Sequence, residues 1–195
     1  MTVALIKYNA GNVQSVMYAL QRLGIEPVYT DDEETLRKAD KVIFPGVGEA
    51  SSTMKYLRAT GLDKIIPTLK QPFLGTCIGM QLMCRHSEEN DTACLGIFDI
   101  DVKRFQSRTH KVPHVGWNTL SGFNNPLFAG IPDQAYVYYV QSYYAEVGPY
   151  TIAQTEYAQP FSAVLQKDNF YAAQFHAEIS SKVGSKMLGN FLGLN

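Results

Sequence analysis

The chain has 195 residues, enough for one domain with a sizeable core, and its 46% apolar and 18% charged residues are typical of globular proteins. A formal net charge of −1 argues against a nucleic-acid-binding surface. The start of the chain lacks a basic segment followed by an apolar run, and no apolar run approaches the ~18 residues of a membrane span. We therefore expect a cytoplasmic protein without a membrane anchor, whose three cysteines are free thiols.

The first half of the chain alternates predicted strands and helices. Apolar runs predict strands at residues 2–8, 26–30, 41–45 and 72–76. Helical spacing and acidic starts predict helices at residues 13–23, 31–39, 51–61 and 78–86, the first capped by Asn12 and the third by Ser51 or Ser52. This alternation is typical of a parallel sheet covered by helices on both faces.

The second half is rich in β-branched and aromatic residues. Strands are predicted within residues 95–105, 135–147, 150–157 and 162–175, followed by a Ser-capped closing helix at residues 180–195. No repeat or linker separates the two halves, so we expect one mixed α/β domain over residues 1–195, with antiparallel strands added late in the chain.

The segment Gly-Thr-Cys-Ile-Gly, residues 75–79, has the pattern of a nucleophile elbow with cysteine in place of serine. A sharp strand-to-helix turn would place Cys77 at the carboxyl end of the sheet and at a helix N-terminus, which favours the thiolate. The amide of Ile78 would then be one oxyanion donor. The spacing alone is equally compatible with a buried cysteine in a packing turn.

A base for this nucleophile is predicted at the end of a late apolar run. His176 is followed two residues later by Glu178, and in an extended chain residues i and i+2 face the same side. The glutamate could therefore fix the tautomer of the imidazole ring. In isolation His-x-Glu is weak evidence, and only its combination with the Cys77 elbow supports a catalytic role.

Two other segments contain residue types that occur in oxyanion holes or in metal sites. Pro-Gly-Val-Gly, residues 45–48, could aim a second N–H group at an oxyanion, although an ordinary βα turn has the same composition. His110 and His114 have the spacing of a helical metal pair, but Pro113 between them breaks that geometry, so we expect no metal site. Cys84 and Cys94 are interpreted as structural.

Together these segments resemble the class I glutamine amidotransferases, which carry a Gly-x-Cys-x-Gly elbow and a late His-Pro-Glu strand end. The matching segments here are GTCIG and FHAE. Within that class, motifs along nearly the whole chain resemble the glutaminase subunits of imidazole glycerol phosphate synthase: YNAGN, PGVG, LGTCIGMQL, LGIFDIDVKRF, KVPHVGWN and YYVQSYYAE. KVPHVGWN is the most specific, because amidotransferases in general lack it.

The resemblance implies a flavodoxin-like three-layer α/β fold, with a mostly parallel central sheet and added antiparallel strands, and a glutaminase of histidine biosynthesis that needs no cofactor. It implies a catalytic triad of Cys77, His176 and Glu178 that hydrolyses glutamine through a cysteinyl thioester. It also implies a heterodimer with a HisF-type cyclase subunit, which is a (β/α)₈ barrel and receives the ammonia.

The resemblance also assigns the remaining site residues by position. The amides of Val47 and Ile78 would form the oxyanion hole. Residues that would hold glutamine are Gly48, Gln81, Ser142, Tyr143 and Tyr144. The chain departs from the family pattern where Ala177 and Ile179 replace the usual proline and lysine, and where Gln141 replaces the usual histidine. Because Val47 lies between two glycines, its peptide plane can reorient at low steric cost, and we expect the isolated chain to be slow without its partner.

Three other interpretations remain open from the sequence. The first is the glutaminase of pyridoxal phosphate synthase, which has a similar elbow but lacks KVPHVGWN. The second is a catalytically dead subunit that keeps the fold and docks a partner, although the intact Cys77, His176 and Glu178 argue against it. The third is a cysteine peptidase of similar architecture.

Overall fold

A computed structural model describes residues 1–8 and 13–194, and every element below belongs to those residues. The strands are β1 (Val3–Ile6), β2 (Val28–Thr30), β3 (Lys41–Phe44), β4 (Phe73–Thr76), β5 (His86–Ser87), β6 (Thr92–Ala93), β7 (Asp101–Arg104), β8 (His114–Thr119), β9 (Tyr136–Gln141), β10 (Tyr143–Ala145), β11 (Thr151–Tyr157), β12 (Gln159–Lys167) and β13 (Phe170–Ala173). The helices are α1 (Gln14–Arg22), α2 (Glu33–Lys38), α3 (Ala50–Thr60), α4 (Leu62–Ile65), α5 (Ile78–Met83) and α6 (Ser181–Leu192). Short 3₁₀ turns lie at Ile66–Thr68, Pro126–Phe128 and Ala177–Ile179.

The central sheet of this described part has the strand order β11-β12-β13-β4-β3-β1-β2. From β13 to β2 all neighbouring strands are parallel, whereas β11 and β12 add an antiparallel edge. Ala172 lies opposite Gly75 and Ala173 opposite Thr76. The strand that leads to Cys77 and the strand that leads to His176 are therefore neighbours, and they end at the same edge of the sheet.

Alternate residues of the central strands face two separate cores. Val3 and Leu5 of β1 belong to one apolar cluster, with side chains of α1 and α6, while Ala4 and Ile6 belong to the other, with side chains of α2 to α5. Because side chains alternate across a strand, a strand covered on both faces is apolar throughout. The predicted three-layer α/β fold with a mostly parallel sheet is confirmed.

Two smaller sheets extend the fold. β10, β7, β5 and β6 form one, and β8 pairs antiparallel with β9 to form a two-stranded ribbon. The predicted strand at residues 135–147 is in fact divided at Ser142, because β9 pairs with β8 whereas β10 pairs with β7. The KVPHVGWN segment, which carried no predicted strand, contributes most of β8.

The helix ends correct two predicted caps. Glu49, rather than Ser51 or Ser52, caps α3, because its carboxylate accepts hydrogen bonds from the backbone N–H groups of both serines at 2.8 Å. Ser180 precedes α6 but makes no side-chain cap; its hydroxyl instead donates to the His176 carbonyl oxygen (2.6 Å) and accepts from the Tyr138 N–H (2.9 Å). The predicted cap at Asn12 lies outside the described residues.

The helix after the elbow is shorter than its sequence predicts. α5 ends at Met83 instead of continuing to His86, and Cys84 is already extended. The N–H groups of Leu95 and Gly96 donate to the carbonyl oxygens of Leu82 and Cys84, both at 2.8 Å, so tertiary bonds replace the next helical turn. Among the described residues, no helix has the length and apolar character needed to cross a lipid bilayer.

Candidate active site

Cys77 forms a strained turn between β4 and α5. Its backbone lies at φ 50° and ψ −111°, a conformation that residues other than glycine rarely adopt. Such strain costs on the order of 1–3 kcal/mol and is concentrated at functional sites. The Cys77 N–H donates to the Ala173 carbonyl oxygen of β13 at 2.8 Å, which ties the elbow to the strand that precedes His176. The predicted nucleophile elbow is thus present as a backbone geometry.

Two glycines allow other segments to approach the elbow closely. A Cβ atom on Gly46 would lie 1.8 Å from the Thr76 carbonyl oxygen, and one on Gly79 would lie 2.4 Å from the Phe44 carbonyl oxygen. Both contacts are with backbone atoms, which cannot rotate away. Glycine is therefore required at both positions if the loop after β3 is to pack on the elbow.

His176 and Glu178 form a close pair beside the elbow. The Nδ1 atom of His176 lies 2.8 Å from Oε1 of Glu178, and both side chains are about nine-tenths buried. Glu178 lies in the 3₁₀ turn rather than in the extended strand that the sequence predicts, yet it still reaches the ring. Because a carboxylate only accepts hydrogen bonds, the Nδ1 proton points to Glu178. The second ring nitrogen, Nε2, is therefore the one available for proton exchange with Cys77.

The electrostatic surroundings favour a charged imidazole. Burial by itself lowers the pKa of His176, but hydrogen bonds to Cys77 and Glu178 and the negative charges of those groups outweigh it and raise the pKa to about 10. Cys77 is thus one of the two groups whose interaction raises the pKa of His176. The Cys77 sulfur also lies 3.9 Å from both the Val140 carbonyl oxygen and the Gln174 amide nitrogen.

A cavity of about 130 Å³ is lined in part by Cys77. Four of the residues predicted to hold glutamine line it, together with Cys77 and Ile78: Gly48, Gln81, Ser142 and Tyr143. Tyr144 is not among its lining residues in the described part of the chain; its ring is stacked on Phe105 at 4.5 Å. The geometry therefore groups the Cys77 thiol, the His176–Glu178 pair and a small polar cavity.

A comparison with known families identifies the family of this chain. A family model described as "Glutamine amidotransferase class-I" matches residues 4–193. The chain belongs to the class I glutamine amidotransferases. The predicted family is confirmed.

Named relatives of this amidotransferase are similar over 91–100% of their length. It is 59% identical to "Imidazole glycerol phosphate synthase subunit HisH" of Bacteroides thetaiotaomicron, covering 100% of both chains, and 41% identical to the protein of the same name from Shewanella sediminis, covering 100% of this chain and 91% of that one. A crystal structure of a glutamine amidotransferase from Thermotoga maritima aligns with a TM-score of 0.69 at 16% identity, over 98% of this chain and 96% of that one. At that identity the match shows the shared fold alone.

The loop that carries Val47 is held by a tyrosine in this amidotransferase. The Val47 N–H donates to the Tyr8 hydroxyl oxygen at 3.4 Å, and the same hydroxyl lies 3.3 Å from the Val47 carbonyl oxygen. Among the described residues, Gly48 and Ile78 line the cavity whereas Val47 does not. Only one of the two amides predicted for the oxyanion hole thus belongs to a cavity-lining residue.

Gln81 connects the cavity wall to a buried amide that the sequence analysis did not single out. The Gln81 side-chain nitrogen donates to the Tyr143 carbonyl oxygen (3.1 Å) and to the Gln174 side-chain oxygen (3.0 Å). Gln174 is fully buried and in turn approaches the Cys77 sulfur. Its place two residues before His176 was the available signal, since i and i+2 on a strand face the same side.

Glu89 is a second residue that the sequence analysis missed. It lines the cavity and accepts a hydrogen bond from the Ala50 N–H at 2.8 Å. Burial raises the pKa of Glu89, the Ala50 N–H opposes that rise, and the charge of Glu49 adds to it. The acidic pair Glu88-Glu89 shortly after the elbow helix was the only signal in the sequence, and nothing there distinguished it from a solvated loop.

A larger groove, about 780 Å³, lies elsewhere on the molecule. It runs between α1 and α6 and touches Glu178 but, among the described residues, neither Cys77 nor Ile78. His110 and His114 do not share a helix, because His110 lies in a loop and His114 begins β8. His114 is buried and stacked between the rings of Tyr139 (5.0 Å) and Tyr157 (3.8 Å), and burial, with a smaller effect of His110, lowers its pKa to about 4.

Proposed function

We propose that the chain is the glutaminase subunit of an imidazole glycerol phosphate synthase, hydrolysing glutamine to glutamate and ammonia in histidine biosynthesis, and that residues 1–195 work as one amidotransferase domain. The proposal is supported by relatives of that name at 41–59% identity. The single observation that carries the chemistry is the strained Cys77 elbow beside the 2.8 Å His176–Glu178 pair.

The reaction divides into two acyl-transfer steps. The Cys77 sulfur attacks the side-chain amide carbon of glutamine, and the carbon–nitrogen bond breaks as His176 delivers a proton to the departing ammonia. The glutamyl group is left on sulfur as a thioester. Water, deprotonated by His176, attacks the same carbon; the carbon–sulfur bond breaks and glutamate leaves. Glu178 keeps the Nδ1 proton in place, so that the other ring nitrogen carries every transferred proton.

The negative charge on the substrate oxygen needs two donors. The Ile78 N–H follows the nucleophile directly and is the first. The Val47 N–H is proposed as the second, once it leaves the Tyr8 hydroxyl. Loss of one such donor lowers the rate by ~10²–10³, so the position of the Val47 peptide would strongly affect turnover.

The cavity residues suggest how glutamine is held. Glu89 is the only carboxylate among the cavity-lining residues of the described chain, and a carboxylate can pair with the substrate ammonium group. We propose that the chain at Ser142, Tyr143 and Tyr144 binds the substrate carboxylate through its backbone, with Gln81 keeping Tyr143 in place. Gly48 has no side chain, so it leaves space for glutamine at the cavity wall.

The partner is proposed to dock on the outer face of the β8–β9 ribbon. This docking face consists of exposed or half-buried side chains that lie opposite one another in the ribbon: Val115 with Val140, Trp117 with Tyr138, and Thr119 with Tyr136. Apolar, aromatic-rich exposed patches are typical of protein interfaces. Val140 also lines the cavity at Cys77, so a (β/α)₈ cyclase seated on this face could receive the ammonia where it forms.

The test is glutamate release by the wild-type chain and the Cys77→Ala variant, each with the cyclase present. We expect loss of glutamate formation in Cys77→Ala, because no other sulfur reaches the cavity among the described residues. Cys94→Ser, which changes a half-buried cysteine elsewhere, is the matched control and should keep its activity. Glutamate release by Cys77→Ala at the wild-type rate would refute the assigned function of this site.

A further inference from the structure

The Tyr8 hydroxyl is the feature on which this inference rests. It donates to the Pro45 carbonyl oxygen at 2.7 Å and accepts from the Val47 N–H at 3.4 Å. Tyr8 follows β1, whereas Pro45 and Val47 belong to the loop after β3, so one side chain bridges two neighbouring strand ends. It therefore contacts the loop that packs on the Cys77 elbow.

Tyr8 is held firmly enough to fix that loop. Its side chain is almost completely buried, and its ring lies edge-on to Phe44 with centroids 5.3 Å apart. The Tyr29 hydroxyl donates to the Tyr8 carbonyl oxygen at 3.3 Å. Burial raises the pKa of Tyr8 far above neutral pH, so its hydroxyl keeps the proton and can donate and accept at once.

An N–H group that donates to Tyr8 is not free to stabilise an oxyanion. We propose that Tyr8 is a positioning residue that holds the Val47 peptide away from the reacting centre and thereby keeps glutamine hydrolysis slow until the loop reorients. The inference rests on the proposed function, in which the Val47 N–H is the second oxyanion donor. The flanking Gly46 and Gly48 give the peptide the freedom to turn once the tyrosine releases it.

The expected change in the rate of glutamine hydrolysis depends on the hydrogen bond that is lost with the Tyr8 hydroxyl and on the oxyanion donor that the Val47 N–H can then supply. Removing the hydroxyl weakens the holding contact by about one net hydrogen bond, which corresponds to a population shift of ~2–10-fold. The upper limit is the ~10²–10³ that a complete second oxyanion donor supplies. A variant without the hydroxyl should therefore hydrolyse glutamine faster than wild type as an isolated chain, by part of that factor. In a complex where the loop is already reoriented, its rate should equal that of wild type.

The experiment is steady-state glutamate release by wild type, Tyr8→Phe and Tyr29→Phe, each alone and in the activated cyclase complex. For Tyr8→Phe we expect kcat of the isolated chain to rise ~2–10-fold with KM unchanged, and kcat of the complex to stay at the wild-type value. Phenylalanine retains the packing on Phe44. Tyr29→Phe removes a neighbouring hydroxyl that bonds Tyr8 but, among the described residues, makes no hydrogen bond with Val47, and it should leave both rates unchanged. An unchanged or lower basal kcat in Tyr8→Phe, or an equal change in both states, would overturn the proposal.

Hydrogen exchange of the Val47 amide gives a readout that does not depend on catalysis. We expect this proton to be protected in the wild-type chain and to exchange ~2–10-fold faster in Tyr8→Phe, with amides of the central strands unaffected. If the wild-type chain failed to hydrolyse glutamine, the proposed function would fail while this exchange comparison would still decide the role of Tyr8. Equal Val47 exchange in the two proteins would exclude the holding contact.

Discussion

Cys77 and His176 are positioned by different kinds of interaction. Cys77 is placed by its own backbone, at φ 50°, and by the N–H bond to Ala173, whereas His176 is placed by side-chain and backbone hydrogen bonds to Glu178, Tyr138 and Ser180. The strained backbone of Cys77 is therefore held in place by its hydrogen bond to the central sheet. The orientation of the ring depends on a few polar contacts, so single substitutions there separate the roles of base and orienter.

Substitutions at the base and its partner should differ in severity. His176→Ala should lower kcat/KM for glutamine by at least about 10³-fold, because the leaving ammonia and the attacking water both lose their proton carrier. Glu178→Gln should cost less, about 10²-fold, because the imidazole remains but its tautomer is less well controlled. Glutamate release measures both. His86→Ala, at a histidine paired with Asp91 elsewhere, is the control; small, equal losses in both site variants would remove the pair from the mechanism.

At the scale of elements, the β8–β9 ribbon serves two purposes with its two faces. Its inner face carries His114 and Tyr139 into the core, and its outer face exposes Trp117, Tyr136 and Val140, of which Val140 lines the cavity. The period-2 alternation of a strand produces this division. The element that lies over the elbow is thus also the element most exposed for docking.

The buried end of the ribbon should make stability sensitive to acid. His114 has its pKa lowered to about 4, mainly by burial, against an unfolded value near 6.5. Its contribution is therefore fully present above pH ~6.5 and is lost as the pH falls from ~6.5 towards ~4, since the unfolded chain takes up the proton first. Denaturant unfolding across this pH range should show a steeper fall in free energy for wild type than for His114→Phe. The same slope in both proteins would contradict this account.

The exposed end of the ribbon should govern assembly. Trp117 is half exposed and packs edge-on against Tyr138 at 5.6 Å, so it is a preformed aromatic anchor. Trp117→Ala should raise the dissociation constant for the cyclase at least ~10-fold, as measured by calorimetry, without changing kcat at saturating partner. Val28→Ala, at an exposed valine that begins β2 at the opposite end of the sheet, is the control. Equal affinity for wild type and Trp117→Ala would place the interface elsewhere.

At the scale of the whole molecule, the fold and the proximity of Cys77 to the His176–Glu178 pair could be predicted because their signals are local. Apolar runs, glycine spacing and His-x-Glu each lie within a few residues. The contacts that complete the site join distant residues: Tyr8 with Val47, Glu89 with Ala50, and Gln81 with Tyr143. Such pairs leave no periodicity in the sequence. The early end of α5 and the division of residues 135–147 into β9 and β10 were missed for the same reason, since tertiary hydrogen bonds override local preference.

The central claim is that this chain supplies ammonia from glutamine to a synthase partner. It is tested most directly by measuring imidazole glycerol phosphate formation in the complex, with glutamine or with ammonium as the nitrogen source, for wild type and Cys77→Ala. We predict that wild type uses both sources, and that Cys77→Ala forms no product from glutamine yet matches wild type with ammonium, because the nucleophile acts only on the amide. Product formation from glutamine by Cys77→Ala would contradict the account. So would loss of the ammonium-dependent rate as well as the glutamine-dependent rate in a variant complex that still assembles.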